Sequence, residues 1–206
     1  MPAPAAPPHA TASLHVTARL DAATRERAWE VYRAAFEPLQ VLAATRHLLT
    51  RAEFDALCAD ERVRKHLALD GDGDVCAFGT LTDDLAAVPM ISEAYFAHRW
   101  PEHHAQRRIW YVGCLGVVPR HQRTGLLARL VAAMCEVVDG RGGIAAIDVC
   151  RWNEHELGLH RAVDRALAEA VPGARGTRLD EQVYWAWELP AGGGAAGADL
   201  TPHPRG

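Results

Sequence analysis

The stretch from Ile109 to Val138 constrains this chain more tightly than any other. Ile109-Trp110-Tyr111-Val112-Gly113-Cys114-Leu115-Gly116-Val117 is a nearly unbroken apolar run, the pattern of a strand covered on both faces. After Gly125, the residues Leu127, Leu130, Val131, Met134 and Val138 recur at helical spacing and predict one amphipathic helix, ended by Asp139-Gly140. Ile144 to Cys150 reads as a further apolar strand. Strand, helix and strand in succession require a sheet with helices packed against it.

The flanking segments fit that frame. His15 to Leu20 is short and rich in β formers, and Asp21 can cap a helix carrying Trp29, Tyr32 and Phe36 before Pro38 interrupts it. Thr50-Arg51-Ala52-Glu53 has the capping-box spacing and predicts another helix. Val63–Leu69 and Val75–Leu81 read as strands joined by the turn Asp70-Gly71-Asp72-Gly73; calcium-loop spacing fails, because Val75 and Leu81 stand where Gly and Glu are needed. Ser92 can cap a short helix, a last helix begins near Glu154, and Val183-Tyr184-Trp185-Ala186-Trp187 reads as a closing strand. The result is a mixed α/β sheet in one domain over residues 14–189. Residues 1–13 are Pro/Ala-rich and residues 190–206 Gly/Ala-rich, and both read as flexible tails.

Composition excludes several classes. At 206 residues the chain can close one core without a disulfide or metal staple. A net charge of −4 argues against a general nucleic-acid or polybasic membrane binder, and no window is apolar enough for a transmembrane helix. Lys65 is the only lysine, which reads as compositional bias toward arginine. Five cysteines, widely spaced and never in a C-x-x-C pair, predict buried thiols in a reducing cytoplasm, and the N-terminus lacks the pattern of a secretion signal. Eleven histidines make no metal-binding spacing, so no metal is expected.

The chemistry concentrates in Val117-Val118-Pro119-Arg120-His121-Gln122-Arg123-Thr124-Gly125-Leu126-Leu127. A loop between a strand and a helix N-terminus presents unpaired amides and the positive end of the helix dipole, which suits a phosphate or pyrophosphate. Gln122, Arg123 and Thr124 add donors, and Gly125 permits close backbone approach. The same residues also fit an ordinary strand-to-helix connection.

This segment, Val117-x-Pro119-x-x-Gln122-x-x-Gly125-x-Leu127, resembles the acyl-CoA-binding motif of the GNAT superfamily of N-acetyltransferases, Q/R-x-x-G-x-G/A, often preceded by V-x-P. It departs at Leu127, where the family has Gly or Ala. The resemblance implies a mostly antiparallel sheet flanked by helices and acetyl-CoA as acyl donor. It also implies a pantetheine arm held along Leu115, Val117 and Val118, and a pyrophosphate held by Gln122, Arg123, Thr124, Gly125, Leu126 and Leu127. Asn153 stands where many members place an Asn, and His160 stands where many carry a Tyr that protonates the departing thiolate. An imidazole can donate that proton. The two lie seven apart, which on one helix places them on one face; Asn153 also reads as an N-cap and His160 as a surface residue. For the base, the family's strand Glu position falls on Tyr111, which reads better as a wall residue, while Glu102, with His103 and His104, can act through water or belong to a solvated loop. Asp148, in an apolar strand, can orient an amine or pair with a neighbour. Trp110, Trp152, Trp185 and Trp187 are candidates for either core packing or an acceptor wall.

The expected function is transfer of acetyl from acetyl-CoA to a small-molecule or peptide amine, with no nucleic-acid or membrane partner; a homodimer is expected from the resemblance alone. A catalytically inactive CoA-binding or regulatory module and a transferase of longer acyl groups are the alternatives.

Overall fold

The computed structural model describes residues 12–188. Its helices start where local capping chemistry starts them. Asp21 accepts from the Thr24 amide at 2.9 Å and opens α1 (Ala22–Phe36). Pro38 separates α1 from the single turn α2 (Leu39–Leu42). At α3 (Arg51–Ala59) both arms of the capping box form: the Glu53 amide donates to Thr50 Oγ1 at 3.3 Å, and the Thr50 amide donates to Glu53 Oε2 at 2.7 Å.

Five strands make one sheet in sequence order: β1 (Ser13–Thr17), β2 (Arg64–Leu69), β3 (Val75–Thr82), β4 (Ile109–Val117) and β5 (Ile144–Ile147). The first three pairings are antiparallel and β4–β5 is parallel, the mixed and mostly antiparallel α/β sheet expected. The β2–β3 turn is closed by the Gly73 amide donating to Asp70 O at 3.0 Å. Two short helices, α4 (Glu93–Arg99, capped by Ser92) and α5 (Pro101–Ala105), lead into β4. The helix α6 (Leu126–Asp139) returns the chain to β5, and α7 (Arg151–His155) and α8 (Leu159–Ala170) follow.

Period-two alternation assigns the two faces. Phe78 points to α1 and α3, where Trp29, Tyr32, Phe36 and Phe54 form a ring cluster with Tyr32–Phe36 centroids 4.6 Å apart. Its neighbour Gly79 points to α6, and a side chain there would run into Met134. On α6, Leu130, Val131, Met134 and Val138 of the expected stripe are buried, Leu127 is half-buried, and Leu126, outside the stripe, is buried instead. Val131 and Cys135 meet Ala166 of α8.

Several expectations are corrected. Val183–Trp187 is not a strand: it is exposed chain in no regular element, with Trp185 and Trp187 stacked on each other and Tyr184 Oη 2.6 Å from Thr45 Oγ1. β5 stops at Ile147 rather than Cys150. The last helix is two helices, α7 and α8, because Gly158 adopts φ +61° between them. Trp110 is a core residue, 1 % exposed, with the Arg64 guanidinium stacked 5.1 Å from its ring. The first strand begins at Ser13 and Ala12 is buried, so the packed chain reaches into the segment read as an N-terminal tail; Leu189 and the C-terminal tail lie outside the described residues. Lys65 is no mere compositional accident. It is fully buried, and its ammonium donates to Ala18 O at 2.8 Å and Asp60 O at 2.6 Å, tying the β1–α1 link to the α3–β2 link.

Candidate active site

Among the described residues the sheet opens between β4 and β5. β5 accompanies β4 only from Ile109↔Ile144 to Val112↔Ile147, and beyond that point no strand among the described residues pairs with β4 on this side. The edge from Gly113 to Val117 therefore has no strand partner on that side, and β4 and β5 part there to leave a cleft-like opening in the sheet. On the other side β4 still pairs with β3, but the register shifts between Thr80 and Leu81: Thr80 faces Cys114 and Leu81 faces Val112, leaving Gly113 as an extra residue. This is a β-bulge, and it sits where the partner strand ends.

The loop after β4 lies at the far end of the open edge. Val117 and Val118 are buried and anchor it, the Val118 amide donating to Cys76 O at 3.0 Å. Pro119–His121 makes one 3₁₀ turn, Gln122 Nε2 donates to Val117 O at 3.4 Å, and the Thr124 hydroxyl donates to His121 O at 2.7 Å. Gln122, Arg123, Thr124 and Gly125 are all exposed. Arg123 has φ +67° and Gly125 φ +80°; for arginine this left-handed conformation is a real cost, and it went unrecognised in the sequence because only glycine advertises it. Gly125 stands at the N-cap of α6 without a side-chain cap, so the first-turn amides of that helix point outward, and open space surrounds the position its Cβ would take. A groove of about 520 Å³, lined in part by Val31, Val75, Val118, Pro119 and Arg120, flanks the loop on the α1 side.

Leu127, the residue that departs from the expected small one, is half-buried and packs against both apolar clusters that α6 joins. It serves as a core anchor. Leu127→Ala is expected to lower stability by about 2 kcal/mol in urea unfolding, the low end for a leucine truncation because the side chain is only partly covered.

Where β5 ends, Tyr111 and Asp148 meet. The buried Tyr111 hydroxyl donates to Asp148 Oδ1 at 2.7 Å, and Asp148 itself is exposed, one residue past the end of β5. Burial, and then the adjacent Asp148 carboxylate, push the Tyr111 hydroxyl well above its ordinary value of 10, so it stays a proton-bearing donor. Asp148 was legible only as a carboxylate in an apolar stretch; its partner and its place at the cleft needed the sheet.

The remaining candidates are dispersed. Asn153 is half-buried within α7, not at a helix start, and His160 is in the first turn of α8, so the break at Gly158 overturns their common helix face. His160 Nδ1 is shielded from solvent without a protein partner, whereas Asn153 keeps its place on the segment just after β5. Glu102 is exposed on α5, ahead of the first residue of β4, and is not brought to the loop beyond its last. His104 beside it is engaged with Glu93 at 2.8 Å. Trp152 is part-exposed on α7. Among the described residues no group of three His, Cys, Asp or Glu side chains is placed to hold a metal ion, and no helix is long and apolar enough to cross a membrane.

No family model matches the sequence, and no curated protein matches it significantly. Solved structures do resemble the fold. An aminoglycoside acetyltransferase from an uncultured soil metagenomic sample, solved with trehalose, superposes with a TM-score of 0.51 at 13% identity, covering 86% of this chain and 97% of that one. An aminoglycoside 6'-N-acetyltransferase from Acinetobacter haemolyticus gives 0.50 at 14% identity over 86% and 99%. A Bacillus halodurans protein, solved as a tetramutant, gives 0.51 at 12% over 84% and 99%. At these identities the likeness concerns the fold.

Proposed function

We propose that this chain, which has the fold of the GNAT superfamily of N-acetyltransferases, is an acyl-CoA-dependent N-acyltransferase that moves acetyl from acetyl-CoA to an amine. The observation that carries this reading is the order of features along the edge of β4 that β5 leaves unpaired: a tyrosine-held carboxylate where β5 ends, the open edge itself, and a helix N-terminus opened by Gly125 after its last residue.

Each part has a task. The β4 edge from Leu115 to Val117, with Val118 tied down through Cys76 at its end, receives the amides of the pantetheine arm as an added strand would, and one amide of this edge polarises the thioester carbonyl. The outward amides at the start of α6, with Gln122, Arg123 and Thr124, hold the pyrophosphate. The amine nitrogen attacks the thioester carbon; the C–N bond forms, the C–S bond breaks, and its electron pair leaves on sulfur. The incoming ammonium first gives one proton to the Asp148 carboxylate, fixed by Tyr111, and Asp148 passes it on to solvent. The nitrogen loses its second proton to water as the amide forms, while a protonated His160 gives its proton to the departing thiolate and regains one from solvent, so one proton is released overall. Asp148 thus takes the part first assigned to Tyr111 or Glu102. Much of the acceleration comes from holding amine and thioester in line. The acceptor is a small-molecule or peptide amine, and the exposed Asp148 carboxylate with the net charge of −4 favours a cationic one.

Calorimetry with CoA and acetyl-CoA tests the reading. Gly125→Glu places a side chain and an anion in the space where phosphates would lie, so CoA affinity is expected to fall at least about tenfold, or about 1.4 kcal/mol. Because Gly125 has φ +80°, any side chain there also costs about 1–2 kcal/mol of stability, and Gly125→Ala serves as the control for that strain. Absence of binding to the wild-type protein at millimolar ligand removes the transferase reading; unchanged affinity in folded Gly125→Glu moves the phosphates elsewhere.

A further inference from the structure

The bulge in β4 has a dedicated partner. Thr80 is 1 % exposed, deep in β3, at the register shift itself. Its hydroxyl oxygen accepts from the Cys114 amide at 3.1 Å and lies 3.4 Å from Cys114 Sγ. On the neighbouring residue, a Cβ added to Gly113 would come within 3.0 Å of the same oxygen. A β-bulge disrupts the regular ladder locally, and a buried amide left without an acceptor costs free energy. Here a side chain supplies the acceptor, and glycine leaves it room.

The consequences reach the cleft. Pairing with β5 ends at Val112, the residue before the bulge, and the free edge begins with Gly113. The bulge therefore decides how the second half of β4 is turned relative to β5, and with it the aim of the Leu115 to Val118 peptide groups. We infer that Thr80 is a positioning residue: its hydroxyl locks the Gly113 bulge and so sets the direction of the β4 edge amide that polarises the thioester. Threonine suits the task better than serine by one respect only, since its methyl group restricts χ1 and holds the oxygen in one place. Cys114 is a bystander in proton chemistry, its thiol pushed up to about 12 by burial.

This inference rests on the transferase reading for the thioester and on the sheet alone for the bulge, so two measurements separate them. In the protein without ligand, hydrogen exchange at the Cys114 amide is expected to quicken by at least about tenfold in Thr80→Val, which keeps the shape and removes the acceptor, and to stay near wild type in Thr80→Ser. With acetyl-CoA labelled at the carbonyl carbon, the infrared stretch of the bound thioester is expected at lower frequency than in free acetyl-CoA for wild type and Thr80→Ser. In Thr80→Val it returns toward the free value, while CoA affinity, anchored at the loop, changes by less than about threefold. Gly113→Ala, which presses on the hydroxyl from the other side, gives the same loss of shift should Thr80→Val fold poorly. Wild-type exchange protection at Cys114 in folded Thr80→Val, or an unchanged carbonyl shift in that variant, overturns the inference. A wild-type protein that binds no acetyl-CoA overturns the transferase reading, and the exchange result then still decides the bulge.

Discussion

Replacing Asp148 by asparagine is expected to lower acetyl-CoA turnover with an amine acceptor by about 10²- to 10⁴-fold, the range that loss of a positioned proton acceptor costs. Asparagine keeps the shape and an oxygen for the Tyr111 hydroxyl, which donates at 2.7 Å, so the cleft should stay assembled and CoA affinity should stay within about twofold of wild type. Tyr111→Phe removes only the bond that orients the carboxylate, and its turnover should fall by about tenfold. Thiol release, followed across a panel of aminoglycosides, polyamines and peptide N-termini, measures both variants against wild type. Full turnover in folded Asp148→Asn would place the proton acceptor on another residue. The ordering of the two losses is as informative as their size, because a wall residue and its neighbour would give no such order.

Acid is expected to cost this fold about 3 kcal/mol between pH 6.5 and pH 4 through His66 alone. His66 lies on β2, 1 % exposed, and neither ring nitrogen has a hydrogen-bond partner among the described residues. Burial, helped by the charge of Arg64, holds its imidazole down at about 4, against an ordinary value of 6.5. Between those values the unfolded chain carries the proton and the folded chain does not, so stability falls as pH falls through the window. Below pH 4 both states are protonated and the loss is complete. Carboxylates held down by their partners, such as Glu53 at about 2 beside Arg46, lose their contribution only below their ordinary value of 4.5. The interval from pH 6.5 to pH 4.5 therefore belongs largely to His66. Urea unfolding at pH 7.5 and pH 4.5 checks this: His66→Leu should keep most of the stability that wild type loses. Equal losses in the two proteins would mean that the ring finds a proton partner in the fold.

These two residues also mark where reading the sequence stopped. Asp148 shows in the sequence only as a carboxylate in an apolar stretch, and His66 carries no local signature. Asp148 gains its meaning from a strand that ends one residue earlier and from a tyrosine that precedes it in the chain by a helix and a turn. His66 is read as neutral only once its lack of partners is visible. Lys65 was equally opaque, since the carbonyls that hold its ammonium belong to residues far apart in sequence.

What the sequence determined by itself was everything set by neighbours along the chain. Asp21, Thr50 and Ser92 start helices because their side chains reach amides three residues on, and Ile109–Val117 is a strand because nine successive residues suit a buried extended backbone. The phosphate-loop candidate was legible for the same reason, since Gln122 to Leu127 is one continuous segment. The tertiary structure decided what depends on pairing. Val183–Trp187 has the composition of a strand, but a strand exists only when another offers its edge, and among the described residues none does. Gly158 could have been tolerated inside one helix; its left-handed backbone instead divides α7 from α8 and parts Asn153 from His160. The bulge at Gly113 cannot be seen in β4 at all, because it is a mismatch between β4 and β3, held by a hydroxyl more than thirty residues away. Local hydrogen bonds are written in spacing, whereas register, strand edges and the partners of buried charges arise only when distant segments meet.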